Sequence, residues 1–189
     1  IHTGQFELKN VQVPADHLLG GAEAGWRIAK YGLMNGRLSV AAGCVGVILD
    51  CLEEAAAYAM GRGQHGKPIA RHQLLQEHLA RMKVACEAAR RMGGRAAALM
   101  DAYEAGGAEE DRRRADSAIA EAKYFAVNAA WEAADRAVQV LGGRGWFFQY
   151  RPARHLVDTR VCRIYEGTDE ILLLRIAEGY LGAEYAAYS

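Results

Sequence analysis

The chain has 189 residues, and 23 Lys plus Arg balance 23 Asp plus Glu for a formal net charge of zero, which leaves no excess positive field for nucleic acid or anionic lipid. Hydrophobic residues make up 51% and charged residues 24%, the balance of a soluble globular chain and not a disordered one. No apolar run approaches the roughly 18 to 20 residues of a membrane span, and a chain of this length buries a core without disulfides or metals.

Nothing at the start has the basic-then-apolar pattern of a secretory signal. Residues 5–14 alternate Phe6 and Leu8 with charged neighbours, then shift phase to Val11 and Val13 before Pro14. This pattern predicts a strand or strand remnant, and a lone strand needs partners, most simply in sequence on the N-terminal side. Residues 1–20 are therefore expected to be the end of a β-domain with its linker, and 21–189 an α-helical domain.

With only three prolines and an interior rich in Ala, Leu, Glu, Arg and Met, long helices are expected. The first spans about 22–61. Its glycines Gly25, Gly32, Gly36, Gly43 and Gly46 ask for close backbone contact or a break near Gly36. The second, about 71–103, places Leu75, Leu79, Met82, Cys86, Ala89, Gly93, Ala96, Met100 and Tyr103 at alternating spacings of four and three, a bundle seam. The third, about 109–140, carries a stripe of small residues from Ile119 and Ala122 to Ala137 and Val140, and Gly142, Gly143 and Gly145 stop it. An aromatic loop and Pro152 precede a last helix over about 168–181. Short connections make neighbours alternate in direction, so the fold class is all-α, an antiparallel four-helix bundle preceded by a strand remnant.

The four cysteines include no C-x-x-C pair, as in a reducing compartment. The six histidines include no i, i+4 pair and no H-E-x-x-H, so no metal site is expected. Three polar, glycine-punctuated segments fall at helix ends, where backbone groups can meet a ligand. Arg62-Gly63-Gln64-His65-Gly66-Lys67-Pro68, with His72 and Gln73, is a basic loop that fits either a phosphate or a solvated turn. Residues 139–146, from Gln139 through Gly142 and Gly143 to Trp146, form a glycine run that admits a ligand or simply ends a helix. It is not a dinucleotide fingerprint, because a helix precedes it and no βαβ unit follows. Arg163-Ile164-Tyr165-Glu166-Gly167-Thr168-Asp169-Glu170 sets a carboxylate and a glycine before an N-capping Thr and an acidic first turn. The cap works without Glu166, and a carboxylate in a glycine turn beside an apolar cavity suits a general base for a weak carbon acid.

In this order and spacing the three segments resemble the C-terminal half of acyl-CoA dehydrogenases, over essentially the whole chain. Residues 13–20 look like the family's exit from its central β-domain, and Arg37, followed by Ala41, Ala42 and Gly43, matches its first long helix. Tyr165-Glu166-Gly167-Thr168 is similar to its most specific motif. The resemblance implies an FAD enzyme that oxidises acyl-CoA thioesters across the α,β bond. Glu166 would take the α-proton, the β-hydride would pass to FAD, and the Glu166 backbone N–H would help hold the thioester oxygen. Other members carry the base one residue before the arginine of the first helix, a position occupied here by Gly36. The resemblance further implies Thr168 and Glu170, with Asp169 between them, against the flavin, and Arg37 and Gly167 at the substrate. Arg62, Gln64, Gln73, Gln139, Gly142 and Gly143 would reach the FAD of a neighbouring subunit in a dimer of dimers. An electron-transfer flavoprotein would take the electrons, in the bacterial cytoplasm or the mitochondrial matrix. The family's aromatic residue in the basic loop is His65 here, and its arginine near the end of the last helix is Glu178. An oxidase-like flavoenzyme and a non-catalytic helical oligomerisation module remain the alternatives.

Overall fold

The computed structural model describes residues 3–187. Residues 1–2 and 188–189, at the outer ends of the expected units 1–20 and 21–189, lie outside the described residues. The fold is all-α, with five α-helices among the described residues: α1 (Gly25–Gly61), α2 (Gln73–Glu104), α3 (Glu109–Leu141), α4 (Arg151–Cys162) and α5 (Asp169–Leu181). The four expected helices form with ends within three residues of the sequence reading; α4 is additional.

Two expectations change. Residues 5–14 contain no strand, and Phe6, Leu8, Val11 and Val13 are exposed; a strand exists through its ladder, and among the described residues none pairs with this segment. Helix α1 also runs unbroken through Gly36. The basic loop is a small antiparallel hairpin, β1 (Gly63–Gln64) on β2 (Lys67–Pro68), with Gln64 opposite Lys67. His65 and Gly66 both take positive φ at its tip, 51° and 74°, as a tight two-residue hairpin turn requires.

Ion pairs give the helix directions. Arg37 meets Asp116 near the starts of α1 and α3, and Arg144 lies over Tyr58 at their far ends, so these two run parallel. Glu77 with Arg136, and Arg95 with Glu121, set α2 antiparallel to α3. Helix α4 descends against α1, pairing Arg151 with Glu54 and His155 with Asp50. Helix α5 continues the descent along α3, from Asp169 beside Asn128 to Gly179 abutting Ser117. Together α4 and α5 act as one antiparallel member of the bundle, interrupted at 163–168.

Helix α3 is the axis of this arrangement. The expected stripe Ile119, Ala122, Ala126, Ala130, Ala133, Ala137 and Val140 is buried, and so are Ala115, Ala118, Ala120, Val127, Ala134 and Leu141 on its other sides. Small side chains allow the surrounding helices to approach closely, while Met34, Cys44, Ile48, Cys51, Met82, Cys86 and Met100 fill the space between. No helix is long and apolar enough to cross a membrane among the described residues.

Candidate functional site

The interruption at 163–168 creates the site. Ending α4 inside the bundle leaves carbonyls without intrahelical donors, and the chain then passes through two left-handed residues, Glu166 at φ 56° and Gly167 at φ 92°. Gly167 accommodates this freely, whereas a side-chain-bearing residue there costs roughly 1–3 kcal/mol. What holds Glu166 is a set of buried cations. Arg37 Nε donates to the Glu166 carbonyl at 3.0 Å. Lys123 Nζ donates to the carbonyls of Tyr165, at 2.5 Å, and Gly167, at 2.6 Å. Hydrogen bonds to charged groups contribute about 1.5–3 kcal/mol each, so the three together outweigh the strain.

Each cation is positioned by its own helix. Arg37 on α1 is 7% exposed, and its other arm binds Asp116 of α3 at 3.1 Å. Lys123 is fully buried on α3, with the Tyr165 ring 5.9 Å from its Nζ. Burial draws its ammonium below the usual lysine range. At the start of α5, Thr168 Oγ1 accepts from the Ile171 N–H at 3.4 Å, the cap expected from sequence. Asp169 is buried; its Oδ2 accepts from Arg163 Nε at 2.7 Å and from Asn128 Nδ2 at 3.2 Å, while Oδ1 has no partner. Glu170 is exposed, and its own backbone N–H, with the Thr168 hydroxyl, holds its carboxyl below the usual range.

The Glu166 carboxylate lies flat against Gly36 of α1. A Cβ there would be 2.5 Å from Oε2, 2.6 Å from Cδ and 2.9 Å from Oε1. Of the α1 glycines that the sequence singles out, only Gly36 has a neighbour in the space its side chain would fill; Gly25, Gly32, Gly43 and Gly46 face open space. The N–H groups of Glu166 and Gly167 donate to no protein acceptor among the described residues. A carboxylate and free N–H donors on one strained turn can remove a proton and polarise a carbonyl. On the α4 side, Tyr165 Oη lies 3.1 Å from Cys162 Sγ. Contact with Cys44 and Tyr165 draws the Cys162 thiol below the usual thiol range, while the Cys44 thiol is pushed up by that contact and by burial.

The sequence-selected residues separate into two regions. Arg37, Glu166, Gly167, Thr168 and Glu170 gather around the interruption. Gln64 and Gln73 line a groove of about 670 Å³ with His65, Lys67 and His72 at the hairpin end of the bundle. Arg62 caps α1 at that end, its carbonyl accepting from the Ile69 N–H at 2.8 Å. Gln139, Gly142 and Gly143 are exposed at the end of α3, where Gly142 takes φ 63°. Arg136, bonded to His78 at 3.3 Å, ties this helix end to the start of α2. Along α3 the two regions lie about 27 Å apart, taking 18 residues from Lys123 to Leu141 at about 1.5 Å each. In the groove His72 Nε2 is buried without a partner, and the His65 and His72 rings meet edge to face at 6.1 Å. Amide, imidazole and ammonium donors around an unpartnered polar atom fit a ligand with phosphates and a polar ring. Of the two departures noted in sequence, His65 is at this groove and Glu178 binds Arg175 at 3.1 Å.

Sequence reading missed Lys123, Asp116 and Asn128; Arg163 stands in the third polar segment, but its bond to Asp169 was not foreseen. Lys123 alone leaves a signal: its neighbours three and four positions away, Ile119, Ala120, Ala126 and Val127, are all apolar, so a helix buries it. Asp116 and Asn128 have no comparable pattern, because each is defined by a partner far away in sequence.

The family model for the acyl-CoA dehydrogenase C-terminal domain matches residues 23–181. The chain is 38% identical over 177 residues to a short-chain specific acyl-CoA dehydrogenase of Megasphaera elsdenii, covering 92% of this chain and 44% of that protein. The solved structure of butyryl-CoA dehydrogenase from Megasphaera elsdenii superposes with a TM-score of 0.82 at 35% identity, over 92% of this chain and 43% of the other. A glutaryl-coenzyme A dehydrogenase solved with glutaryl-CoA superposes with a TM-score of 0.83 at 36% identity, over 95% and 43% respectively. The chain thus spans less than half the length of these relatives.

Proposed function

The chain belongs to the acyl-CoA dehydrogenase family, as its C-terminal domain, and on that premise we propose that it supplies the catalytic base of an FAD-dependent enzyme that desaturates acyl-CoA thioesters. Residues 21–189 are the helical domain in this reading, and residues 1–20 lead from a preceding β-domain. The observation that carries the proposal is the seat of Glu166: a strained residue held by its carbonyl, with its carboxylate pressed on the bare backbone at Gly36. By the resemblance, Gly36 is the other place from which family members present the base, and in the fold it addresses the same point.

Glu166 takes the α-proton, and the electron pair of the broken C–H bond delocalises onto the thioester oxygen. The free Glu166 N–H stabilises the charge that develops there. Arg37 fixes the turn from the substrate side, and Gly167, with no side chain, leaves room beside it. FAD, when bound, would supply the acceptor for the β-hydride. Thr168 and Glu170, at the N-terminus of α5, would hold the flavin. Arg62, Gln64, Gln73, Gln139, Gly142 and Gly143 would hold the distal part of an FAD bound mainly by a neighbouring subunit. The roughly 27 Å between the two regions supports this division, since one chain's distal contacts lie far from its own base. Assembly as a dimer of dimers, transfer of electrons to an electron-transfer flavoprotein, and residence in the bacterial cytoplasm or mitochondrial matrix complete the proposal.

The test is anaerobic bleaching of flavin absorbance by a panel of acyl-CoAs, using the complete gene product and its Glu166→Gln variant. Bleaching that the substitution abolishes while FAD stays bound supports Glu166 as base. A gene product without flavin, or equal bleaching after substitution, refutes it.

A further inference from the structure

We infer that Lys123 is a positioning residue for this reaction, acting on Glu166 through the backbone on either side of it; the inference rests on Glu166 being the base. The cation is fully buried in the middle of α3, yet no carboxylate lies within ion-pairing distance of it among the described residues. A buried ammonium is normally paired or coordinated. The partners of Lys123 are instead two backbone carbonyls, those of Tyr165 and Gly167, the immediate neighbours of Glu166. With Arg37 on the Glu166 carbonyl, three consecutive carbonyls are each held by a buried cation. The Tyr165 ring lies 5.9 Å from the ammonium.

This geometry constrains Glu166 differently from side-chain packing. The bond to the Tyr165 carbonyl fixes the peptide plane before Glu166 and so its φ, the Arg37 bond to the Glu166 carbonyl fixes the plane after it and so its ψ, and the second Lys123 bond anchors the next plane, beyond Gly167. Those dihedrals place the Glu166 carboxylate against Gly36 and leave its N–H without a protein acceptor among the described residues. Arg37 alone pins the plane after Glu166 and leaves the plane before it, which carries the Tyr165 carbonyl and the Glu166 N–H, free to rotate. A neutral side chain of similar length offers fewer donors, and no backbone donor is available at an interruption between two helices. The length of Lys, its three donors and its full charge suit two close carbonyl acceptors deep in the bundle.

The test compares Lys123→Met, Lys123→Gln and Glu166→Gln in the complete gene product, with FAD content, unfolding temperature and anaerobic flavin reduction all measured. The expected result for Lys123→Met is a limiting reduction rate lower by on the order of 10²-fold, the scale of a misplacement near 1 Å. The dissociation constant for a CoA thioether that cannot be oxidised stays within about threefold, because the binding contacts are intact. Lys123→Gln, which keeps an N–H for one carbonyl, recovers about tenfold of the rate. Should the Met variant not fold, the Gln variant decides alone, with its limiting rate expected about tenfold below wild type. Unchanged limiting rates in the folded, flavin-bound fraction, with only FAD content or unfolding temperature lowered, overturn the role of Lys123 and leave Glu166 as base. Full bleaching by Glu166→Gln overturns the reading beneath it.

Discussion

Adding one methyl group at Gly36 separates stability from catalysis. The Cβ of Gly36→Ala would start 2.5 Å from Glu166 Oε2, and ordinary van der Waals contact begins at 3.4 Å, so the carboxylate must retreat by about 0.9 Å. The retreat is mechanically easy, since the obstructing atoms are the far end of a flexible side chain and α1 itself need not move. Ala is also favoured over Gly inside a helix by about 1 kcal/mol. The variant should therefore unfold at a temperature equal to or slightly above wild type, while a base displaced by nearly 1 Å loses on the order of 10²-fold in the proton-abstraction step. Differential scanning calorimetry and stopped-flow anaerobic flavin reduction on the complete gene product measure the two quantities. A reduction rate within about threefold of wild type would refute the claim that the carboxylate acts from its seat on Gly36.

Three further outcomes follow from the same contacts. Thr168→Ala removes the acceptor for the Ile171 N–H and should lower stability by about 0.5–2 kcal/mol in denaturant titration, with Thr168→Ser restoring most of it; equal stability of all three proteins would contradict the cap. Ile48→Ala, at a fully buried position on α1, should cost about 2–5 kcal/mol by leaving a cavity, and a loss below about 1 kcal/mol would mean that the bundle collapses around the site. The carboxyls of Glu77, Glu87 and Glu109 are held below their usual 4.5 by Arg81, Lys83 and Arg112. Their folded values lie below the unfolded one, so their contribution is complete above 4.5 and disappears as pH falls through the lowered values. The unfolding temperature should accordingly drop below about pH 4.5, and less steeply in high salt, since these pairs are exposed and screened; a flat profile would exclude them.

Much of the bundle was legible from period alone. The three-and-four spacing of Met82, Cys86, Ala89, Ala96 and Met100 marks a face that is buried in the structure, because a helix shows its neighbour one side only. Helix α4 was not legible: Arg151-Pro152-Ala153-Arg154-His155 carries a proline at a helix start and little apolar contrast, and its stability comes from lying between α1 and α3. The segment at residues 5–14 shows the opposite failure, since alternation marks a sheet face only where a second strand exists.

For the site, the linear order of residues determined the motif itself: Thr168 as a cap, Gly167 after a carboxylate and the acidic first turn of α5 can all be read within a few positions of one another. Its working geometry was decided only in three dimensions. Glu166 is held by Arg37, 129 positions away, and its flanking carbonyls are held by Lys123, 42 and 44 positions away. The bare backbone that receives its carboxylate comes from α1. Local sequence can encode a turn, but the cost of a left-handed glutamate and of buried carbonyls is met by charges from other helices, and such charges acquire partners only when the chain packs.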